Sequence, residues 1–430
     1  MHRLRAGYAS AVPAAASAVS IDFGGAFAVD VLLAAIALFA AVGALSHEHG
    51  RAFSASVIYL GVGLVAAFAL PRLGVARFDL VGDHGVVERV TSLALAVAVF
   101  GAGLTLRRRP WRRWGVLAGL LAVTVPLTAA VVAAFGALVM GLPWPAAIVL
   151  GAALAPTDPV LAGGIGLDEP GESEHAAEGP GILTAEAGAN DGGALPLLML
   201  GLAAGEHGGP GWLGSWAAID LLYGVAVAVA GGAALGAGAS RAFRWMRAHD
   251  VMAAPFEGWA SVATAFGVYA SAELLGAYGF LAAFAAGVAF RQLDYESDVN
   301  LGFYRGASTV ERFFELAVVL LVASSVTWSG LGRPGVAGWL LLPLLFIVIR
   351  PAAALLVLGR LRAPWRERLF VAWFGVKGVA TVNYAATMLA AGALAAGDAE
   401  VVLWTAVAAT LASIVVHGIS STPLYRRLIA

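Results

Sequence analysis

The sequence predicts an all-α polytopic membrane protein of about thirteen spans, with inverted repeats and two broken helices that cross at the midplane. Of the 430 residues, 60% are hydrophobic and only 12% are charged, whereas soluble domains carry roughly 25% charged residues. Apolar runs of about 20 residues, the length that crosses a bilayer as a helix, recur along the chain. Two short segments rich in proline or glycine interrupt such runs.

Thirteen apolar runs are the predicted spans. They lie near 27–45, 53–70, 87–106, 115–140, 144–166, 181–204, 212–238, 258–275, 278–291, 313–329, 337–358, 368–391 and 400–422. The 54 glycines of the chain suit helices that pack closely in lipid. We expect 1–25 to be a disordered N-terminal extension and 26–428 to form one membrane domain.

Basic residues orient these spans in the cytoplasmic membrane. If the N-terminus lies outside, the cytoplasmic loops hold 18 arginines and the opposite loops hold six. Cytoplasmic loops of membrane proteins carry such an excess of arginine and lysine. The bias therefore predicts an odd number of spans, with the C-terminus in the cytoplasm.

Composition also excludes several classes of function. A formal net charge of −1 gives no indication of a nucleic-acid partner. The chain has no cysteine, which excludes disulfides and cysteine metal sites, and its eight histidines show no metal-ligand spacing. No loop is long enough for a soluble catalytic module, and no motif of an intramembrane enzyme is present. We expect a protein that is not an enzyme and needs no cofactor.

Two aspartates lie deep inside apolar runs, Asp158 in the fifth predicted span and Asp191 in the sixth. A carboxylate at the centre of a span costs about 2.5–3.5 kcal/mol, so it marks an ion pathway or a proton relay. Pro156 and Pro159, which flank Thr157 and Asp158, remove backbone donors and break the helix. Broken helices at membrane depth persist only when packed in protein or lining a wet cavity. The pattern predicts an ion-transport site built on the two carboxylates.

Five ionisable groups lie near the centres of the predicted spans: Asp158, Glu186, Asp191, Arg350 and Lys377. Their formal charges sum to −1, so one monovalent cation or one proton completes a dry site. The alternative is that all three carboxylates only form ion pairs, but two bases cannot pair with three acids. The outline is typical of an exchanger in which a cation and a proton compete for one carboxylate.

Helical spacing separates the roles within the sixth span. Glu186 and Asn190, four residues apart, share a face, whereas Asp191 lies about 140° around the helix from Glu186. We expect Glu186 to form a planar two-point pair with Arg350. Asp191 is then free to face the cavity and bind both the cation and the proton.

Lys377 is the only lysine of the chain and lies in a glycine-flanked segment that interrupts the twelfth span. The fifth and twelfth spans run in opposite directions, as inverted repeats require. Broken helices leave dipole ends at the midplane. We expect Asp158 to neutralise helix N-termini there, Lys377 to neutralise C-termini, and Thr157 to add an oxygen ligand for the cation.

These residues resemble a known family, the cation/proton antiporter-1 family of bacterial sodium/proton exchangers, within the monovalent cation/proton antiporter superfamily. The resemblance covers nearly all of 30–425 and is carried by Thr157-Asp158-Pro159, Asn190-Asp191, Arg350-Pro351, the glycine-rich twelfth span, and the stretches 51–60, 278–282 and 311–316.

The resemblance implies thirteen helices, a homodimer, and a core domain (spans 144–204 and 337–422) that moves against dimerisation helices. It implies that Asp191 carries cation and proton, with Thr157, Asp158 and Asn190 beside it. Many relatives carry an acid in the third span, where this chain has Phe100-Gly101-Ala102-Gly103. Relatives also often have a proline where Val376 stands, so the twelfth span should be less sharply kinked.

The function expected from these residues is a secondary antiporter that exchanges Na⁺, or K⁺ or Li⁺, for H⁺ by alternating access. Asn190, in place of a second acid, favours electroneutral exchange. The alternatives are a non-transporting membrane sensor and a passive cation channel on the same fold. No carbonyl-lined filter or charged ring supports the channel.

Overall fold

The computed structural model describes residues 52–74, 77–106, 111–158, 178–251, 256–293, 298–360 and 363–429. Within these ranges the chain is helical with short connections, and no strand occurs. The first predicted span at 27–45 and most of the acidic loop 167–180 lie outside the described residues.

The first half of the described chain carries seven helices. They are α1 (Ala52–Ala69), α2 (His84–Thr105), α3 (Trp111–Gly119), α4 (Val125–Leu138), α5 (Trp144–Leu154), α6 (Glu178–Gly193) and α7 (Leu195–Glu206). A 3₁₀ turn, Leu70–Leu73, follows α1, and a π-helical turn, Leu120–Thr124, joins α3 to α4.

The second half carries the remaining helices of the described residues. They are α8 (Leu213–Trp216), α9 (Gly224–Ala248), α10 (Glu257–Leu274), α11 (Gly279–Leu293), α12 (Asp298–Ser324), α13 (Trp328–Gly332), α14 (Gly335–Leu344), α15 (Arg350–Leu358), α16 (Trp365–Trp373), α17 (Val379–Ala391) and α18 (Ala396–Leu428). Two further π turns, Ala217–Tyr223 and Leu345–Ile349, join α8 to α9 and α14 to α15.

Among the described residues, five helical stretches are long and apolar enough to cross a membrane. They are His84–Thr105, Trp114–Leu138, Leu213–Ala248, Gly335–Leu358 and Ala396–Ser421. Shorter apolar helices include α5, α11 and α17. An all-helical membrane protein is therefore confirmed, whereas thirteen spans stay a prediction.

Two helices differ from the predicted spans. The sixth span is divided at Ala194 into α6 and α7, because Pro196 lies in the first turn of α7 and cannot continue the hydrogen bonding of α6. α12 begins at Asp298 rather than near 313. Its first turns carry charged residues, so an apolar window misses them although the backbone is helical.

Proline also shapes the helix that delivers Arg350. Arg350 donates its backbone N–H to the carbonyl of Leu345, five residues back, and the next residue is Pro351. Since Pro351 has no N–H and its ring crowds the preceding turn, the chain widens into a π turn there. π turns are frequent at functional sites, and this one sets the direction of Arg350.

Small residues let the helices around the site approach closely. A Cβ atom built on Gly232 or Gly236 of α9 would overlap the backbone of α11 at Ala282 or Ala286. Helix–helix contacts in membranes rely on such small residues. α11 in turn packs on α2 and on α6, which carries Glu186, Asn190 and Asp191.

Candidate cation and proton site

The end of one helix meets a break between two others inside the protein. α5 ends at Leu154, and Thr157 and Asp158 beyond it have no regular secondary structure. Opposite it, α16 ends at Trp373, α17 begins at Val379, and 374–378 is not helical. The backbone N–H of Asp158 donates to the carbonyl of Val376 at 2.9 Å, so the two interruptions are joined by a main-chain hydrogen bond.

Each interruption supplies a charge to a helix end of the other. Lys377 Nζ donates to the carbonyls of Ala155 (3.2 Å) and Pro156 (2.6 Å), just beyond the C-terminus of α5. Asp158 Oδ2 accepts the backbone N–H of Val379, the first residue of α17, at 2.6 Å. A cation at a helix C-terminus and an anion at an N-terminus both interact favourably with the helix dipole. Lys377 thus lies at the C-terminus of α5 and Asp158 at the N-terminus of α17, and their helix-dipole role stays a prediction.

The backbone of Lys377 is hydrogen-bonded to a side chain of α18. The backbone N–H of Lys377 donates to Ser413 Oγ at 2.8 Å, and Ser413 Oγ lies 2.9 Å from His417 Nδ1. The His417 ring is buried against Trp373 and Phe374. The two α18 side chains fix the non-helical segment rather than lining a pathway.

Asn190 braces Thr157. Its side-chain oxygen accepts the backbone N–H of Thr157 at 3.2 Å, and its amide nitrogen donates to Thr157 Oγ1 at 2.8 Å. Both groups of the amide are therefore engaged, and both residues are buried. Asn190 lies beside the predicted ligands but acts on Thr157 in this structure.

Asp191 is a fully buried acid whose carboxylate makes no hydrogen bond within the described part of the chain. Its residue exposure is 0%, and neither carboxylate oxygen has a partner there. Its backbone carbonyl accepts a hydrogen bond from the Tyr384 hydroxyl, which anchors this turn of α6 to α17. Buried polar groups are nearly always hydrogen-bonded, and a buried charge must be paired, bind a metal ion or be neutralised by a proton. The Asp191 carboxylate therefore needs a cation or a proton.

Glu186 and Arg350 meet in the interior. Arg350 Nη2 lies 2.6 Å from Glu186 Oε1, and their side chains are 2% and 1% exposed. The predicted two-point pair is wrong, because only one nitrogen–oxygen contact forms. Glu186 Oε2 and Arg350 Nη1 are buried and have no hydrogen-bond partner among the described residues. Gly375 packs against the aliphatic part of Arg350, so the ion pair also supports the crossing.

Sequence reasoning missed two acids on α12. Glu315 is 6% exposed and accepts a hydrogen bond from Ser56 Oγ of α1 at 3.0 Å. It shares a cavity with Asp158, whose other walls are mainly aliphatic side chains of α12, α17 and α18. Glu311 lies one turn earlier and faces Gly101 of α2. In the sequence, the stretch 311–316 stands out only through its resemblance to relatives.

The described residues contain no group of three or more histidine, cysteine, aspartate or glutamate side chains that could hold a metal ion. The oxygen donors near the crossing are instead two aspartates, one threonine and backbone carbonyls. Hard monovalent cations accept such oxygen ligands, together with water. Oxygen donors of this kind suit reversible rather than permanent binding.

Comparison with known proteins gives a consistent family. Residues 27–427 match the family model described as sodium/hydrogen exchanger, transmembrane. The chain is 26% identical over 328 residues to Na⁺/H⁺ antiporter 2 of Zygosaccharomyces rouxii, covering 70% of this chain and 38% of that protein. It is 27% identical over 348 residues to the K⁺/H⁺ antiporter NhaP of Alkalimonas amylolytica, covering 79% of this chain and 57% of that protein.

The fold has a counterpart among solved structures. The sodium proton antiporter MjNhaP1 of Methanocaldococcus jannaschii superposes with a TM-score of 0.69 at 16% identity, covering 92% of this chain and 98% of that one. The curated relatives are longer, and the chain spans about two fifths to three fifths of their length.

Proposed function

This chain belongs to the transmembrane sodium/hydrogen exchanger family, and we propose that it is a secondary transporter that exchanges a monovalent cation for H⁺. Na⁺ is the favoured cation, with K⁺ or Li⁺ as alternatives, since the relatives include both a Na⁺/H⁺ and a K⁺/H⁺ antiporter. The single observation that carries the proposal is Asp191, which is fully buried and whose two carboxylate oxygens have no hydrogen-bond partner in the described ranges.

One carboxylate can serve both substrates. A proton neutralises Asp191 directly, and a cation does so with help from Thr157 and the crossing backbone. The two compete, because either neutralises the buried charge. Competition predicts a bell-shaped dependence of exchange on pH, since protons exclude the cation at low pH and become scarce at high pH.

Alternating access is part of the proposal. The crossing, Asp191 and the Glu186–Arg350 pair form the core that moves, and the dimerisation helices form the frame. We further propose a homodimer in the cytoplasmic membrane, with the N-terminus outside and the C-terminus in the cytoplasm, as the distribution of arginines favours. A bilayer, the cation and H⁺ are then the only partners that the function requires.

The test is exchange in proteoliposomes that enclose a pH-sensitive dye. Na⁺, K⁺ and Li⁺ are added in turn, and wild type is compared with Asp191→Asn. We expect cation-driven proton movement in wild type and none in the variant. Asp250→Asn is the matched control: Asp250 is exposed and has a φ of +52°, a backbone conformation that asparagine also tolerates. Exchange by well-folded Asp191→Asn would refute the assignment.

Electroneutral exchange is proposed from the same charges. The five groups predicted at span centres sum to −1, and Asn190 stands beside Asp191 without adding a charge. The net charge of the site stays at −1 only while Glu315 is protonated. An imposed membrane potential should leave the rate nearly unchanged, and a rate driven strongly by the potential would refute electroneutrality. Asn190→Asp is the informative variant, because a second carboxylate could bind an additional proton.

The alternatives make different predictions in the same vesicles. A passive cation channel would let the cation through without proton movement in the opposite direction, and a membrane sensor would show no flux. Neither the channel nor the sensor requires a buried carboxylate that a cation or a proton must neutralise, whereas exchange does.

A further inference from the structure

We propose that Glu315 is a second proton-binding group, which passes protons between Asp158 and the part of α12 that carries Glu311. The proposal rests on the exchange function proposed above. It assigns a route for the proton that differs from the site at Asp191.

The first support is the cavity that Glu315 shares with Asp158. Gly378 forms part of its wall, and a Cβ atom at Gly378 would overlap Asp158 Oδ2. Because Gly378 has no side chain, the Asp158 carboxylate fits beside it and forms part of the cavity lining. Thr410 of α18 also lines the cavity, and its hydroxyl donates to the carbonyl of Ala406. The two carboxyl groups are thus separated by a space with aliphatic walls and few polar groups.

The second support is the hydrogen bonding of Glu315. Its Oε1 accepts a hydrogen bond from the Ser56 hydroxyl at 3.0 Å. No basic side chain of the described residues forms an ion pair with it, although Arg312 lies near enough for its charge to act on Glu315. An ionisable group inside a membrane protein that lacks a structural ion pair marks a proton or ion pathway.

Glu311 extends the route. It lies four residues before Glu315, so both side chains project from the same face of α12, one turn apart. A Cβ atom on Gly101 of α2 would lie 3.3 Å from Glu311 Oε2, so the glycine leaves room for this carboxylate. The charges of Asp158 and Arg312 act on Glu315, and the charge of Glu315 acts in turn on Glu311. Ser56 and Thr410 supply the neighbouring hydroxyls.

A structural role would need only the hydrogen bond between Ser56 and Glu315, which joins α1 to α12. Glu315→Gln separates the two roles, because glutamine keeps the size and the hydrogen-bond acceptor but cannot bind a proton. Glu257→Gln is the matched control. Glu257 is equally buried, at 4% exposure, but is ion-paired with Arg247 at 2.6 Å.

The direct measurement is infrared difference spectroscopy of the purified full-length protein during a pH titration, which detects protonated carboxyl groups. We expect Glu315→Gln to lose one titrating carboxyl band that Glu257→Gln retains. In vesicles, we expect Glu315→Gln to exchange at a small fraction of the wild-type rate, with a changed pH profile. If the glutamine variant does not fold, Glu315→Asp should fold and show the same band at a shifted frequency.

An unchanged carboxyl titration together with a wild-type exchange rate in Glu315→Gln would overturn the proposal. An unshifted band in Glu315→Asp would overturn it equally. Failure of the proposed function looks different: wild-type vesicles would exchange no cation, while the infrared titration would still show whether Glu315 binds a proton.

Discussion

Replacing Arg350 with alanine should destabilise the protein far more than replacing an arginine that lies equally close to its acidic partner but is exposed to solvent. Arg350 and Glu186 are 1% and 0% exposed as residues, and their charged atoms are 2.6 Å apart. Arg350→Ala leaves the Glu186 carboxylate in the interior with neither oxygen paired. Removing one partner of a buried ion pair typically costs about 3–5 kcal/mol.

The chain offers a matched comparison in Arg333 and Glu400. Their nitrogen–oxygen distance is also 2.6 Å, but their side chains are 52% and 28% exposed. Exposed pairs contribute about 0–1 kcal/mol, because water screens the charges. Arg333→Ala should therefore lower the free energy of unfolding by about a quarter, or less, of the effect of Arg350→Ala. Because the nitrogen–oxygen distance is the same in both pairs, the difference between the two losses of unfolding free energy reports the effect of burial.

The assay is unfolding of the purified protein in mixed detergent micelles, followed by circular dichroism. The double variant Arg350→Met with Glu186→Gln should recover part of the loss, because it leaves no unpaired buried charge. If Arg350→Ala unfolded like wild type but did not exchange cations, Arg350 would serve transport directly. The structural assignment of the ion pair would then be wrong.

Three further predictions concern the crossing and the helices around it. Asp158→Asn should retain more exchange in proteoliposomes than Asp191→Asn, because an asparagine oxygen can still accept the N–H of Val379 that Asp158 accepts at 2.6 Å; equal loss in both would contradict this. Gly378→Ala should abolish exchange, since its Cβ would overlap Asp158 Oδ2, whereas Gly397→Ala, which meets nothing within 4 Å, should exchange like wild type. Asn383 Nδ2 of α17 lies 2.8 Å from Thr91 Oγ1 of α2, and the chain has no cysteine. Joining Asn383→Cys to Thr91→Cys with a short, reducible bifunctional thiol reagent should therefore stop exchange until the link is reduced. Undiminished exchange in the crosslinked protein would mean that α17 and α2 need not separate.

The charged residues of the site could be found in the sequence because the bilayer makes them conspicuous. Asp158, Asp191 and Lys377 stand in apolar runs where a charge is costly, and no tertiary information is needed to notice them. Pro156 and the glycines around Lys377 likewise indicate interrupted helices, because proline lacks a backbone N–H and glycine destabilises a helix. The family resemblance rests on the same residues.

Glu315 shows where this reasoning fails. Hydropathy placed it near the start of a span, where a charged side chain can reach water. The structure begins α12 at Asp298, which puts Glu315 inside the helix and beside Asp158 in one cavity. A window of apolar residues cannot detect a helix whose first turns are polar, and it cannot show what a side chain faces.

The sequence by itself determined the class of protein, the helical fold and the residues of the crossing, because composition and the cost of buried charge act locally along the chain. The tertiary structure alone decided which atoms meet. Asn190 is engaged with Thr157 at 2.8 Å, and Arg350 contacts Glu186 through one nitrogen. The carboxylate oxygens of Asp191 have no hydrogen-bond partner among the residues that the structure describes. Hydrogen bonds and ion pairs depend on distances of a few ångströms between helices far apart in sequence. Only the packing of those helices sets such distances.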